Sequence, residues 1–273
     1  MYDLERFDTA LLEGHDDVVL CLDKSTDGSV LISGSKDKTA RIWKSRPSST
    51  TDDDDDEDAD EMNDDDDAQR ERRGKVEWDC VGVCTGHVES VGAVAVSHTL
   101  PNKEVEEGRK EGGGFLVTAS QDRTVKLWDL GSLLSSSSTT RATADDAPTP
   151  MRSLTTLKIH EKDINALSIS PNNALLASGS QDRTAKLFSI TYTAATKKEG
   201  SEASGKLTLL GSFVGHKRGV WSVAFSPVDM CLATASGDRT VKLWNLNDFS
   251  CIKVRLFSLP LPSFFRYLCA MTS

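Results

Sequence analysis

The chain has 273 residues, 38% hydrophobic, 27% charged and only 6% aromatic, enough for one large domain or two small ones. Its net charge of −10 is local: 13 of the 42 acidic residues lie within Asp52–Asp67, and the other 29 face 32 Lys and Arg, leaving about +3 for the remainder. Met1–Arg6 lacks the basic and apolar segments of a secretory signal, no apolar run approaches the ~20 residues of a membrane span, and the six cysteines are scattered, so a soluble intracellular protein is expected.

In chain order, residues 1–12 hold one strand of a preceding unit, near Phe7–Leu12. A first repeat copy, 13–44, runs from Gly14-His15 through Ser33-Gly34-Ser35-Lys36-Asp37-Lys38-Thr39 to Trp43. An acidic insertion read as disordered, 45–76, separates it from the second copy, 77–130. That copy has Gly86-His87, then Thr118-Ala119-Ser120-Gln121-Asp122-Arg123-Thr124 and Trp128, with a Gly- and charge-rich loop inserted at 98–114. After a linker read as disordered, 131–153, the third copy (154–190) has His160, Ser178-Gly179-Ser180-Gln181-Asp182-Arg183-Thr184 and Phe188. A second linker, 191–206, also read as disordered, precedes the fourth copy (207–253), with Gly215-His216, Thr234-Ala235-Ser236-Gly237-Asp238-Arg239-Thr240 and Trp244. Residues 254–273 break the pattern, and we read them as a tail foreign to the repeat, in keeping with a splice-donor sequence translated at Val254-Arg255.

The spacings carry the argument. Aspartate to aromatic is six residues in all four copies; histidine to aspartate is 22 in copies one, three and four, and 35 in copy two. Each copy reads as short alternating strands, in copy four Val220–Ser226, Cys231–Ala235 and Thr240–Trp244, with the Ser-x-Asp-Arg/Lys-Thr stretch as the tight turn. Leu207–Phe213 supplies a further strand. The period, the spaced histidine, the turn aspartate and the strand-ending tryptophan resemble the WD40 repeat.

That resemblance implies an all-β fold, a partial WD40 β-propeller of about four blades of a larger one. It also implies a buried hydrogen-bonded tetrad in each blade. The sets are His15, Ser33, Asp37, Trp43; His87, Thr118, Asp122, Trp128; His160, Ser178, Asp182, Phe188; and His216, Thr234, Asp238, Trp244. An indole N–H can donate to the hydroxyl, the hydroxyl to imidazole and imidazole to carboxylate, so that no buried polar group is left unpaired. Phe188 has no N–H and Ile159 replaces a glycine, so the third blade is expected to form with a shortened network. Ser, His and Asp together invite a catalytic triad, but a hydrolase carries one such set in a cleft, whereas here four recur at fixed spacing; no enzyme is expected. Four blades form an arc rather than a closed ring, so the chain is expected to be part of a longer protein.

Cys80-x3-Cys84-x2-His87 superficially resembles a metal site, yet His87 belongs to a tetrad and a period-2 strand puts the two cysteines on one packed face; no metal and no cofactor are expected. Ser49 and Thr50, each with aspartate three residues on, fit an acidophilic-kinase pattern, and Arg70–Lys75 a weak nuclear-import patch or a solvated basic turn. The wording of the repeats (TASQDRTVKLW, GSQDRTAKL, GHKRGVW) is more specific. It resembles a nucleolar WD40 family of the small-subunit processome, matching the second of that family's two propellers, without the first and without its helical C-terminal domain. That resemblance implies a scaffold in ribosome biogenesis, supporting pre-rRNA processing toward 18S rRNA. Its implied partners are UtpB-type processome proteins and the U3 ribonucleoprotein, with pre-rRNA contacted indirectly and neither membrane nor small-molecule substrate. Lys36, Gln121, Gln181 and Gly237, each just before a turn aspartate, are the candidate partner contacts, expected to be exposed on one propeller face. The alternative reading is a generic WD40 adaptor, such as a ubiquitin-ligase substrate receptor or a signalling scaffold.

Overall fold

The computed structural model describes residues 11–47, 76–98, 114–135, 147–195 and 202–256. Blade I comprises β1 (Val19–Lys24), β2 (Val30–Ser35), β3 (Ala40–Pro47) and β4 (Val76–Cys84). The chain continues through β5 (Val91–Val96), β6 (Phe115–Ser120), β7 (Thr124–Asp129), a short helix α1 (Gly131–Ser135), β8 (Thr149–Met151) and β9 (Ser153–Lys158). Blade II is β5-β6-β7-β9, while β8 crosses back to pair in parallel with β4 of blade I. Blade III is β10 (Ile164–Ile169), β11 (Leu175–Ser180), β12 (Thr184–Thr193) and β13 (Ser204–Val214). Blade IV is β14 (Val220–Phe225), β15 (Cys231–Ser236), β16 (Thr240–Asn245) and β17 (Cys251–Leu256).

Each blade has the same two irregularities. The first ladder slips by one residue at Val19/Cys21, Val91/Ala93, Ile164/Ala166 and Val220/Ser222. The third slips at Ile42/Trp43, Leu127/Trp128, Leu187/Phe188 and Leu243/Trp244. A bulge raises local twist and moves every later side chain to the other face. That displaces one expectation: Cys80 pairs with Trp43 and Cys84 with Ala40, so the two thiols point to opposite faces of β4.

The core lies between blades. Ile32, Ala40 and Ile42 of blade I pack with Val91, Val94 and Val96 of blade II. Val117, Val125 and Leu127 pack with Ile164 and Leu167 of blade III, and Ala177, Ala185 and Leu187 with Val220, Val223 and Phe225 of blade IV. Each fully buried aliphatic side chain contributes roughly 1.5–3 kcal/mol relative to exposure. Polar links cross the same seams: Asp23 of β1 accepts from the Val96 N–H at 2.8 Å, and Asn165 Nδ2 donates to the Val220 carbonyl at 2.9 Å.

Two linkers read as disordered are partly built into the fold. In 131–153, α1 lays Leu133 and Leu134 on the blade I–II core, and the Asp129 carboxylate accepts from the Gly131 N–H at 2.9 Å and from Ser132. In 191–206, β12 and β13 extend their ladder through Tyr192↔Gly205. Tyr192 stacks 5.2 Å from Phe115 and donates to Asp129 Oδ1 at 2.5 Å, so burial and that carboxylate push its phenol well above the ordinary range. Leucines and a tyrosine with partners outweigh the polar composition around them. At the other end β17 runs to Leu256, so the fourth strand of blade IV includes the first three residues of the predicted tail. The acidic run Asp52–Asp67, Ser49, Thr50, Arg70–Lys75, most of the 98–114 insertion, 257–273 and Phe7–Ala10 of the first strand lie outside the described residues; Leu11 and Leu12 belong to no strand.

Candidate functional site

The turn from second to third strand is built alike in all four blades. The residue after the aspartate, Lys38, Arg123, Arg183 or Arg239, takes φ of 72°, 71°, 75° and 65°. This left-handed step closes the hairpin, and a non-glycine residue held there costs on the order of 1 kcal/mol. A serine two residues before each aspartate steadies the loop: Ser35, Ser120, Ser180 and Ser236 accept the aspartate N–H at 3.0–3.2 Å. Their hydroxyls donate to the carbonyls of Asp17, Glu89, Lys162 and Arg218, tying the turn to the loop that enters the blade.

The histidine of each blade sits between this turn and the second strand. His15, His87, His160 and His216 place Nδ1 at 2.6, 3.1, 2.8 and 3.0 Å from Asp37, Asp122, Asp182 and Asp238. Their Nε2 atoms lie 2.7, 2.8, 2.8 and 2.7 Å from Ser33, Thr118, Ser178 and Thr234. Trp43, Trp128 and Trp244 donate their indole N–H to the same hydroxyls at 2.8, 2.9 and 2.7 Å. In blade III, Phe188 packs into the core, 4% exposed, and Ser178 serves imidazole without an indole. The donor order fixes the tautomer: Nδ1–H donates to carboxylate and Nε2 accepts from the hydroxyl.

A fifth member completes each set. Thr39, Thr124, Thr184 and Thr240 donate to the aspartate Oδ1 at 2.5–2.6 Å, and their N–H groups reach the same oxygen at 2.8–3.0 Å. Burial alone would raise these carboxyls, but the bonds from threonine, histidine and the entering loop outweigh it: Asp37 falls to about 2, and Asp122, Asp182 and Asp238 are also lowered. Burial lowers His87, His160 and His216, against the pull of their aspartates. Neutral imidazole beside ionised carboxylate is a latch, with every polar atom committed. The threonine was not among the expected residues, although its fixed place two residues past the aspartate is visible in all four copies.

The entering loops and these turns crown one face. Lys36, Gln121 and Gln181 are exposed there. Gly237 is not: it is half-buried, because the Trp221 indole lies over it, with Nε1 3.1 Å from where a Cβ would stand. Trp221 itself, 42% exposed at the bulge of β14, is an aromatic on this face that motif reading passed over. Cys80 and Cys84 do not converge on one site. Cys84 is core, 1% exposed with its thiol pushed up by burial, while Cys80 accepts from Arg41 Nη1 at 3.8 Å; among the described residues no group of His, Cys, Asp or Glu is arranged to hold a metal ion.

Blades latched by polar cores, with rigid turns projecting from one rim, define a β-propeller scaffold: the latch histidine, hydroxyl and aspartate recur in every blade, while the position before the turn aspartate varies among Lys36, Gln121, Gln181 and Gly237. The family description WD domain, G-beta repeat matches residues 8–44, 78–129, 151–189 and 207–245, and the chain belongs to the WD40 repeat family. It is 41% identical over 225 residues to transducin beta-like protein 3 of Mus musculus, covering 82% of this chain and 21% of that protein. It is 34% identical over 224 residues to U3 small nucleolar RNA-associated protein 13 of Saccharomyces cerevisiae, covering 80% and 20%. Human striatin-3 is 32% identical over 130 residues, 48% of this chain and 15% of that protein. The chain thus spans about a fifth of the length of the first two relatives.

Proposed function

We propose that this chain serves as a non-catalytic scaffold of the small-subunit processome, in the nucleolus, holding UtpB-type proteins and the U3 ribonucleoprotein in support of pre-rRNA processing toward 18S rRNA. One observation carries the reading. Similarity to transducin beta-like protein 3 and to the U3 small nucleolar RNA-associated protein extends over 80% or more of the chain, against 48% for striatin-3. Lys36, Gln121 and Gln181 are the proposed contacts, standing on turns held rigid by the latches beneath them. Pre-rRNA is reached through partners, since apart from the acidic run the chain is nearly neutral and has no basic stripe interleaved with aromatics.

The test is a tagged pull-down from cells, probed for U3 RNA and for UtpB subunits. Recovery of both is expected, reduced by the combined Lys36→Glu, Gln121→Glu and Gln181→Glu substitutions at unchanged bait level. Clean bait with neither would overturn the reading and leave a generic WD40 adaptor.

A further inference from the structure

Two segments lie like straps across the outside of neighbouring blades, each drawn from the connection between the third and fourth strands of the blade that follows. The chain between Asp129 and Ser153 supplies α1 and β8, which cover the outer strand of blade I. Leu133, Leu134 and Met151 pack there with Val81, and a Cβ on Gly82 would stand 3.0 Å from Leu133 Cδ2 and 3.5 Å from Met151 Cγ. The extension of β12 and β13, from Ile190↔Leu207 to Thr193↔Ser204, covers blade II in the same way. Its Ile190 and Tyr192 pack with Leu154, and the Gly205 carbonyl accepts from Thr155 Oγ1.

The two straps meet at one carboxylate. Asp129 ends β7 and is 8% exposed. Its Oδ1 accepts the Gly131 N–H at 2.9 Å from the first strap and the Tyr192 hydroxyl at 2.5 Å from the second. Its Oδ2 accepts the Ser132 N–H at 3.4 Å and the Ser132 hydroxyl. Among the described residues no ion pair joins Asp129, so its buried charge is held by these donors. A strap that closes takes water away from the carboxylate, and the bond made by the other strap then forms in a drier site of lower dielectric, where it is stronger. Phe115 holds the Tyr192 ring in place, with centroids 5.2 Å apart. The acid is peculiar to blade II: the residue after the aromatic is Lys44 in blade I, Ser189 in blade III and Asn245 in blade IV.

We infer that Asp129 locks the two straps into one conformational device, in which they close together and lift together. Closed, they keep β4 paired with β8 at Gly82, Val83 and Cys84, and keep Leu154 beneath Gly205. Lifted, they bare the outer sides of both blades at once, including a strand edge of the kind to which an extended segment of another protein adds. One side chain thus decides the exposure of two blades.

The experiment is hydrogen–deuterium exchange with mass spectrometry on chain 1–273, read in peptides spanning α1 and β8 and in those spanning the β12–β13 extension. Tyr192→Phe keeps the stack on Phe115 and removes one donor from Asp129. Exchange in α1 is expected to rise roughly tenfold, the size fitting one lost bond to a charged group, while β14 and β15 of blade IV keep their protection. Ser132→Ala is expected to raise exchange in the β12–β13 extension, since coupling between two sites is reciprocal. In an Asp129→Asn background the effect of Tyr192→Phe on α1 should fall away. If circular dichroism shows Asp129→Asn unfolded, Ser132→Ala serves as the background, and the added effect of Tyr192→Phe should shrink. Unchanged exchange in α1 for Tyr192→Phe, or an effect that persists at full size in the background used, would overturn the inference. No partner and no RNA enter the measurement, so its outcome is independent of the processome reading.

Discussion

The hydroxyl at the centre of each latch offers a graded experiment within one molecule. Thr118 is fully buried, accepts from Trp128 Nε1 at 2.9 Å and donates to His87 Nε2, whose other nitrogen is committed to Asp122. Thr118→Val preserves shape and orphans two buried groups, an indole N–H and an imidazole lone pair. At about 1–3 kcal/mol for each, the loss should be about 2–6 kcal/mol. Ser178→Ala in blade III orphans only the imidazole of His160, because Phe188 has no donor, and should cost about half as much. The indole share can be isolated by making blade II resemble blade III: in a Trp128→Phe background, Thr118→Val should fall to the Ser178→Ala value. Urea titration followed by far-ultraviolet circular dichroism reads all four variants. Equal losses for Thr118→Val and Ser178→Ala, or no drop in the Trp128→Phe background, would refute the idea that the hydroxyl acts by serving two partners.

Acid should loosen the latches in two stages. The folded values of His87, His160 and His216 lie below the ordinary 6.5, so the unfolded chain binds protons first and stability, complete above about pH 6.5, declines as the pH falls below it. The lowered aspartates add a second decline below their ordinary 3.8, and Asp37 continues to contribute down to about 2. Urea midpoints level from pH 7 to 8 and falling steadily toward pH 5 are expected; a midpoint highest at pH 5 would contradict the neutral-imidazole assignment. In β13, a Cβ on Gly205 would overlap Leu127 Cδ2, and Leu127 is fully buried, so Gly205→Ala should cost about 1–3 kcal/mol by overpacking, read in the same titration.

Much of this architecture is legible in the linear pattern because the latch ties sequence spacing to geometry. His160 can reach Asp182 and Ser178 together only if the intervening chain forms two strands and a turn of set length, so the 22-residue interval is a structural ruler. Ile159 likewise shows its purpose: it joins the blade II–III core while its carbonyl accepts from Lys186 Nζ at 2.6 Å. What stayed hidden depends on single-residue shifts or on distant partners. The bulge that separates Cys80 from Cys84 leaves no compositional trace, since it arises from how β4 registers on β3. The left-handed turn is occupied by Lys or Arg, not by the glycine or asparagine that would announce it. Tyr192 and Leu133 lie in Ser/Thr-rich stretches, and only their contacts across blades, with Asp129 and with the blade I core, reveal them as ordered.

The parallel strand β8 changes how the molecule must be assembled. A repeat array whose units touch only in sequence can lose or gain terminal units one at a time. Here, residues synthesised between the third and fourth strands of blade II return to hydrogen-bond along the outer edge of blade I, at Gly82, Val83 and Cys84. As the nascent chain emerges, that edge stays bare until Met151 has been made, leaving a period in which β4 can recruit a foreign strand. Once β8 docks, blades I and II are stitched both in order and in reverse. Neither can then detach without tearing the seam of the other, so the pair behaves as a single cooperative unit in unfolding.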